Sequence, residues 1–113
     1  MPGIENADLE ISVTPEFIVN KLRDICHEYA VRNGFYEGEV NIPEKLCLIH
    51  SEVSEALEAL RGPDEENNIG EELADIIIRV FDLAGHLDIN IYKEITDKME
   101  KNFKREYKHG KKF

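Results

Sequence analysis

Residues 45–82 read KLCLIHSEVSEALEALRGPDEENNIGEELADIIIRVFD, and this stretch decides the fold. Apolar residues recur at helical spacing on both sides of a short polar break, which predicts two helices joined by a turn. Each helix carries two acidic residues three positions apart: Glu52 and Glu55, then Glu72 and Asp75. Because residues three apart lie on one helix face, two antiparallel helices could direct these four carboxylates into one pocket.

The helical phase of the first helix places its acidic pair beside apolar residues. At about 100° per residue, the main apolar stripe consists of Leu46, Ile49, Val53, Ala56, Leu57 and Leu60. Glu52 and Glu55 fall between that stripe and two further apolar residues, Leu48 and Ala59. A buried carboxylate is costly unless it is paired or coordinates a metal. The phase therefore favours a cation site over an ordinary solvated face.

The second helix is apolar over most of its circumference. Its narrow polar strip holds Glu72, Asp75, Arg79, Asp82 and His86. A helix that is apolar over most of its surface is buried on several sides, which in so short a chain predicts a partner subunit. Asp82 could reach the acidic site or form a salt bridge with Arg79 or a lysine, and Glu72 and Asp75 could also be ordinary surface residues. Hard divalent cations such as Mg²⁺ take oxygen ligands, usually one or two carboxylates with water and substrate phosphates.

The composition bounds the class of protein. A chain of 113 residues with 42% hydrophobic residues fits one domain with a modest core. The net charge of −10 makes binding of nucleic acid through the general field unfavourable. We find no signal pattern and no apolar run long enough for a membrane span, so we expect a cytoplasmic protein with no membrane partner. Cys26 and Cys47 lack metal-site spacing and are expected to be reduced thiols.

The whole sequence divides into a loose lead-in at residues 1–13 and one all-α domain at residues 14–113. The lead-in has one extended piece, near residues 9–13. Thr14 and Asn90 are predicted helix caps, and Asn41 or Ile42 precedes the second helix. Together with the breaking residues they predict four helices, from Pro15 to about Arg32, from Pro43 to near Arg61, from Ile69 or Glu71 to Gly85 or His86, and from Ile91 to about Tyr107. The fourth helix carries Lys98, Asn102 and Arg105 on one face, at spacings of four and three residues. This face is either a binding surface or an ordinary solvated face.

The segments KLCLIHSEVSEALEALR, GEELADIIIRVFDLAGHLDI and KMEKNFKREYKHGKKF resemble the two motif helices and the closing segment of the MazG-like nucleoside triphosphate pyrophosphohydrolases. The resemblance covers roughly residues 15–113. It implies an all-α, four-helix bundle completed by oligomerisation into a homodimer or homotetramer. It also implies Mg²⁺-dependent hydrolysis, with Mn²⁺ as a substitute, of nucleoside triphosphates between the α and β phosphates. The products would be a monophosphate and pyrophosphate, and the role would be house-cleaning of the nucleotide pool.

The same resemblance implies roles for particular residues. The implied metal ligands are Glu52, Glu55, Glu72 and Asp75. The implied phosphate or sugar contacts are Lys98, Asn102 and Arg105. A carboxylate that the metal does not fully use could take the proton of the attacking water. Either Glu52 or Glu55 could be this base, and the sequence does not choose between them.

Three other functions compete with this interpretation. Phosphoribosyl-ATP pyrophosphatase activity uses the same chemistry on a related substrate. A ferritin-like redox bundle needs Glu-x-x-His, and neither Glu55 nor Glu72 has a histidine three residues later. A non-catalytic helical interaction module would have degenerate acids, whereas all four acids are present here.

Overall fold

The computed structural model describes residues 13–63 and 68–113. These residues form four α-helices and one short 3₁₀ helix: α1 (Pro15–Arg32), α2 (Ile42–Arg61), α3 (Ile69–His86), α4 (Ile91–Phe103) and the 3₁₀ helix Tyr107–Gly110. Within these ranges there is no strand, so the predicted all-α class is confirmed. The extended piece predicted near residues 9–13 lies, apart from Val13, outside the described residues.

Each α-helix starts at a residue whose side-chain oxygen accepts a hydrogen bond from a backbone N–H three residues later. The four capping residues are Thr14, Asn41, Asn68 and Asn90. Such caps satisfy N–H groups that have no partner inside the helix. The sequence predicts the caps Thr14 and Asn90, and it offers Asn41 as one of two residues preceding the second helix.

The predicted end of the fourth helix is wrong. The sequence pattern extends it to about Tyr107, whereas α4 ends at Phe103. The Phe103 side chain is 91% exposed, so it has almost no surface to pack against. Because most helical stability in proteins comes from packing of the apolar face, the last predicted turn has too little support to remain helical.

Helix α3 lies at the centre of the chain and packs against both α1 and α2, whereas α4 packs against α1. Helices α1 and α3 come close together at Gly85, where an added Cβ would lie 2.7 Å from the Cβ of His27. Arg23 of α1 donates a hydrogen bond to the carbonyl of Ile89 at 2.6 Å. The Asn20 side chain donates to Asn90 at 2.8 Å, so α1 also fixes the start of α4.

The core of the single chain is small. Its buried apolar residues are Cys26, Ala56, Leu83 and Ala84. About half of the surface of several large apolar side chains remains exposed, on α2 at Leu46, Val53, Leu57 and Leu60 and on α3 at Leu73, Ile77 and Ile78. The apolar stripe predicted for α2 is therefore only partly covered by α3. Among the described residues, none of the helices combines the length and apolarity needed to cross a membrane.

Candidate functional site

Glu52 lies in the contact between α2 and α3. Its side chain is 15% exposed, and its Oε1 accepts a hydrogen bond from Nε of Arg79 on α3 at 2.7 Å. The two groups form an ion pair that links the helices. A carboxylate with this degree of burial needs such a partner, because an isolated charge would lose its hydration without compensation.

Glu55 is exposed but has acidic neighbours on both helices. The charge of Glu52 raises the pKa of the Glu55 carboxyl, as do partial desolvation, a hydrogen bond with Glu52 and the charge of Glu72, whereas Arg79 lowers it. Like charges disfavour the ionised form of a carboxyl group. Three of the four predicted acids therefore interact electrostatically across the α2–α3 contact.

The fourth acid, Asp75, shares a pocket with Glu52. This pocket has a volume of about 210 Å³, and its charged lining consists of Lys45, Glu52, Asp75, Arg79 and Asp82. The rest of the wall is mainly apolar and includes Cys26, Tyr29, Ala30, Phe35 and Ile78. The pocket therefore combines charges from α2 and α3 with an aromatic and aliphatic wall from α1 and the following loop. We call it the α1–α3 pocket.

The acidic side chains are not arranged as a finished ligand set. Across residues 13–63 and 68–113, no three His, Cys, Asp or Glu side chains are placed to hold one metal ion together. The Oε1 atom of Glu52 is instead bonded to Arg79. The donor chemistry nevertheless fits Mg²⁺ or Mn²⁺, since the four side chains offer carboxylate oxygens and a cation would relieve the repulsion among Glu52, Glu55 and Glu72.

Asp82, which lines this pocket, also belongs to a second polar cluster. The Oδ1 atom of Asp82 accepts a hydrogen bond from the Tyr36 hydroxyl at 2.9 Å and lies 3.0 Å from Nδ1 of His27. Burial, together with the hydrogen bond to Asp82 and its charge, raises the pKa of Tyr36. Of the alternatives left open for Asp82, the pair with Arg79 does not form, because Asp82 bonds to α1 and its following loop while Arg79 bonds to α2.

Aromatic and cationic groups complete this cluster. The Tyr36 ring lies 4.8 Å from the His86 ring, centroid to centroid. Nζ of Lys45 lies 4.0 Å from the centre of the Tyr36 ring and donates to the carbonyl of Phe35 at 3.0 Å. No sequence pattern marks Lys45, His27 or Tyr36, because their association depends on the loop after α1, which folds back over α2 and α3. Their only sequence signal is the polar strip of α3, which contains Asp82 and His86.

The predicted substrate contacts lie elsewhere in the chain. Lys98 lines a pocket formed by α4 residues and Lys104, and α4 packs on α1. The Oδ1 atom of Asn102 is buried and has no hydrogen-bond partner among the described residues. Arg105 follows the end of α4, and its Nη1 atom lies 3.2 Å from Nδ1 of His109. Within one chain, these three side chains do not line the α1–α3 pocket.

The fold and the site define an all-α protein in which acidic pairs from two packed helices lie close together. The model of the MazG-like family matches residues 44–113, which is more than half of the chain. The protein belongs to the MazG-like family, whose domain is of the nucleoside triphosphate pyrophosphatase superfamily. Comparison with curated proteins and with solved structures gives no significant match. The matched range includes all four acids, whereas α1 lies outside it.

Proposed function

We propose that this protein is a metal-dependent nucleoside triphosphate pyrophosphohydrolase. It would cleave its substrate between the α and β phosphates, release a monophosphate and pyrophosphate, and act in house-cleaning of the nucleotide pool. The observation that carries this proposal is the family match over both acidic pairs, on helices that pack against each other. The fold alone would not suffice, because one fold can host many functions.

Four carboxylates would hold the metal: Glu52, Glu55, Glu72 and Asp75. Their oxygens suit Mg²⁺, with Mn²⁺ as a substitute. When bound, the ion would supply charge neutralisation for the phosphate oxygens and lower the pKa of a coordinated water. The raised pKa of Glu55 supports this assignment, because it reports unrelieved repulsion from Glu52 and Glu72.

Glu55 is the better candidate for the general base. Its carboxyl has a raised pKa and an exposed side chain, so it can reach a water and hold the proton taken from it. Glu52 is less suited to that role, because its side chain is only 15% exposed and has less access to solvent water. The neighbouring pair thus separates into a half-buried carboxylate and an exposed one that accepts a proton.

The substrate would meet positive charge from this chain and from a second copy. Lys45 and Arg79 line the α1–α3 pocket, where they could contact phosphate oxygens. We propose that Lys98, Asn102 and Arg105 contact a substrate held in the partner subunit. This would reconcile their predicted role with their position, since α4 packs on α1 in its own chain. The active particle would then be a homodimer or homotetramer.

A nucleotide screen tests the proposal. The purified protein is incubated with Mg²⁺ and each standard or damaged (d)NTP, while pyrophosphate and orthophosphate are measured separately. Pyrophosphate release from at least one substrate is expected. Glu52→Gln and Asp75→Asn should each lower kcat/KM by at least about 100-fold, a loss of about 2.7 kcal/mol in transition-state stabilisation.

Glu58→Gln is the matched control. Glu58 is on α2, is exposed and pairs with Arg61 at 3.3 Å, so its substitution should leave turnover unchanged. Release of orthophosphate alone, or no turnover across the whole panel, contradicts the proposal. Turnover of phosphoribosyl-ATP without turnover of any (d)NTP would instead assign the related activity.

A further inference from the structure

We propose that Arg79 is an exchangeable counter-ion of the acidic site. Its guanidinium neutralises Glu52 when no metal is bound, and it transfers to a phosphate of the substrate when the metal takes Glu52. The identity of the phosphate-bearing ligand rests on the proposed function, whereas the exchange between Arg79 and a metal at Glu52 does not require catalysis.

The ion pair between Arg79 and Glu52 has the features of an occupied cation position. The Nε–Oε1 distance is 2.7 Å, and the exposed fractions of the two side chains are 34% and 15%. A guanidinium and a divalent cation both satisfy a partly buried carboxylate. They repel each other strongly at short distance, so full occupation of Glu52 by both is unfavourable. Binding of a metal there should therefore weaken the hold of Arg79.

Other arginines in the described chain differ from Arg79. Arg61 pairs with Glu58 on the same helix, and both side chains are 70% exposed. Arg23 pairs with its sequence neighbour Asp24 and donates to the carbonyl of Ile89. Arg79 instead bonds across two helices to a proposed metal ligand and lines the pocket. Its position therefore couples the acids to the space that a ligand would fill.

The chemistry of the guanidinium suits the second half of the exchange. The bond to Glu52 is made by Nε, and a guanidinium carries four further N–H donors in a planar fork that matches phosphate oxygens. Arg79 also moderates the repulsion on Glu55, since its charge opposes that of Glu52 and Glu72. When Arg79 leaves, the acids become more negative and hold a cation more strongly, while the guanidinium becomes available to an anion.

Metal binding without substrate tests the first half of the exchange, in which a metal displaces Arg79 from Glu52. Affinity for Mn²⁺ alone is measured by electron paramagnetic resonance on the full chain, for wild type, Arg79→Gln and Arg79→Lys at neutral pH. Arg79→Gln should bind Mn²⁺ about fivefold more tightly, which corresponds to roughly 1 kcal/mol for loss of a partly exposed ion pair. Arg79→Lys should keep the weaker affinity of wild type, because it keeps the competing charge. Arg61→Gln is the control for loss of one positive charge.

Binding of inorganic triphosphate in saturating Mn²⁺ tests the second half. Arg79→Gln should weaken this binding by about tenfold, and Arg79→Lys should weaken it less, since lysine retains the charge but lacks the fork. In a Glu52→Gln background, Arg79→Gln should give no gain in Mn²⁺ affinity over Glu52→Gln alone, because the gain requires both residues. A purely structural role for Arg79 would lower the unfolding temperature without tightening metal binding.

The exchange is supported only if Arg79→Gln tightens the binding of Mn²⁺ and weakens the binding of triphosphate. Unchanged or weaker Mn²⁺ binding in Arg79→Gln overturns it, as does unchanged triphosphate binding or no Mn²⁺ binding in any variant. If Arg79→Gln does not fold, Arg79→Met keeps the aliphatic stem and takes its place in both measurements. Opposite shifts in a protein without pyrophosphohydrolase activity would refute the proposed function alone. Activity without these shifts would refute the exchange alone.

Discussion

Glu52 and Glu55 are one helical turn apart, yet their surroundings give them different chemistry. Glu52 is largely buried and paired with Arg79, so its position is fixed. Glu55 is exposed, and its pKa is raised by the charges of Glu52 and Glu72. The repulsion that raises this pKa also opposes folding at neutral pH. A site that destabilises the protein when empty is typical of residues kept for binding or catalysis.

This repulsion predicts that Glu55→Gln stabilises the metal-free protein. The folded pKa of Glu55 lies above the unfolded value, so below the unfolded pKa both states are protonated and the residue has no effect. As the pH rises through the folded pKa, the folded state acquires a repelled charge and loses stability. In a chelator, Glu55→Gln should therefore unfold at a higher temperature than wild type at about pH 7, and at the same temperature at about pH 3.

Glu58→Gln provides the comparison for this measurement, because Glu58 is on the same helix and pairs with Arg61. Its loss should leave stability unchanged or slightly reduced at about pH 7. A lower unfolding temperature for Glu55→Gln at about pH 7 would show that Glu55 is favourably placed. An equal gain at both pH values would show that charge is not the cause. Circular dichroism gives both temperatures.

At the scale of the helices, local sequence predicts most of the boundaries. Thr14 before Pro15, and Asn90 before Ile91, carry their capping information within four residues, and the structure confirms both starts. The predicted end of the fourth helix is wrong, because the helix end depends on whether Phe103 finds a packing surface. That is a property of the tertiary structure. The central position of α3 agrees with its apolar circumference, since α3 packs on both α1 and α2.

Gly85→Ala should force α1 and α3 apart. An added Cβ would lie 2.7 Å from the Cβ of His27, which is an atom next to the backbone and cannot rotate away. Overpacking of this kind costs about 1–3 kcal/mol, more than the gain in helix propensity of about 1 kcal/mol. We expect a net loss in the free energy of unfolding, measured by urea denaturation.

Gly70→Ala is a matched control on the same helix. An added Cβ there meets only the side-chain oxygen of Asn68, at 3.1 Å, so that oxygen must shift slightly while it keeps its capping bond to the Glu71 N–H. Its stability should stay within about 1 kcal/mol of wild type, the scale of the helix-propensity gain. Equal stability of Gly85→Ala and wild type would mean that the helices separate without cost. The predicted close packing would then be wrong.

At the scale of the whole molecule, the acidic pairs and their helices are predictable from sequence, but their partners are not. Helical phase places Glu52 beside apolar residues and puts Arg79 on the polar strip of α3. It does not reveal that these two residues meet, because their contact depends on the rotation of α2 against α3. The cluster of Asp82 with His27 and Tyr36 is missed for the same reason. The position of Lys98 outside the lining of the α1–α3 pocket likewise depends on the packing of α4 on α1.

Among the described residues, several large apolar side chains on α2 and α3 remain about half exposed. The exposed residues of α2 follow heptad-like spacing at Leu46, Val53, Leu57 and Leu60, and α3 adds Leu73 and Ile77. Monomeric proteins rarely expose a contiguous apolar patch larger than a few hundred Å². We therefore expect a second copy to cover the exposed face of α2 and α3, giving at least a dimer. Light scattering at micromolar concentration measures this mass directly.

Leu57→Glu tests the location of that interface. Leu57 is 55% exposed in the middle of the apolar row, and a charge buried there between two subunits would lack a partner. The variant should shift to the monomer and should unfold at a lower temperature, because subunit association stabilises the folded state. Ser54→Glu, on the solvated face of α2, should keep the mass of wild type. A monomeric wild type, or a Leu57→Glu variant that stays oligomeric, would place the subunit contact elsewhere or remove it.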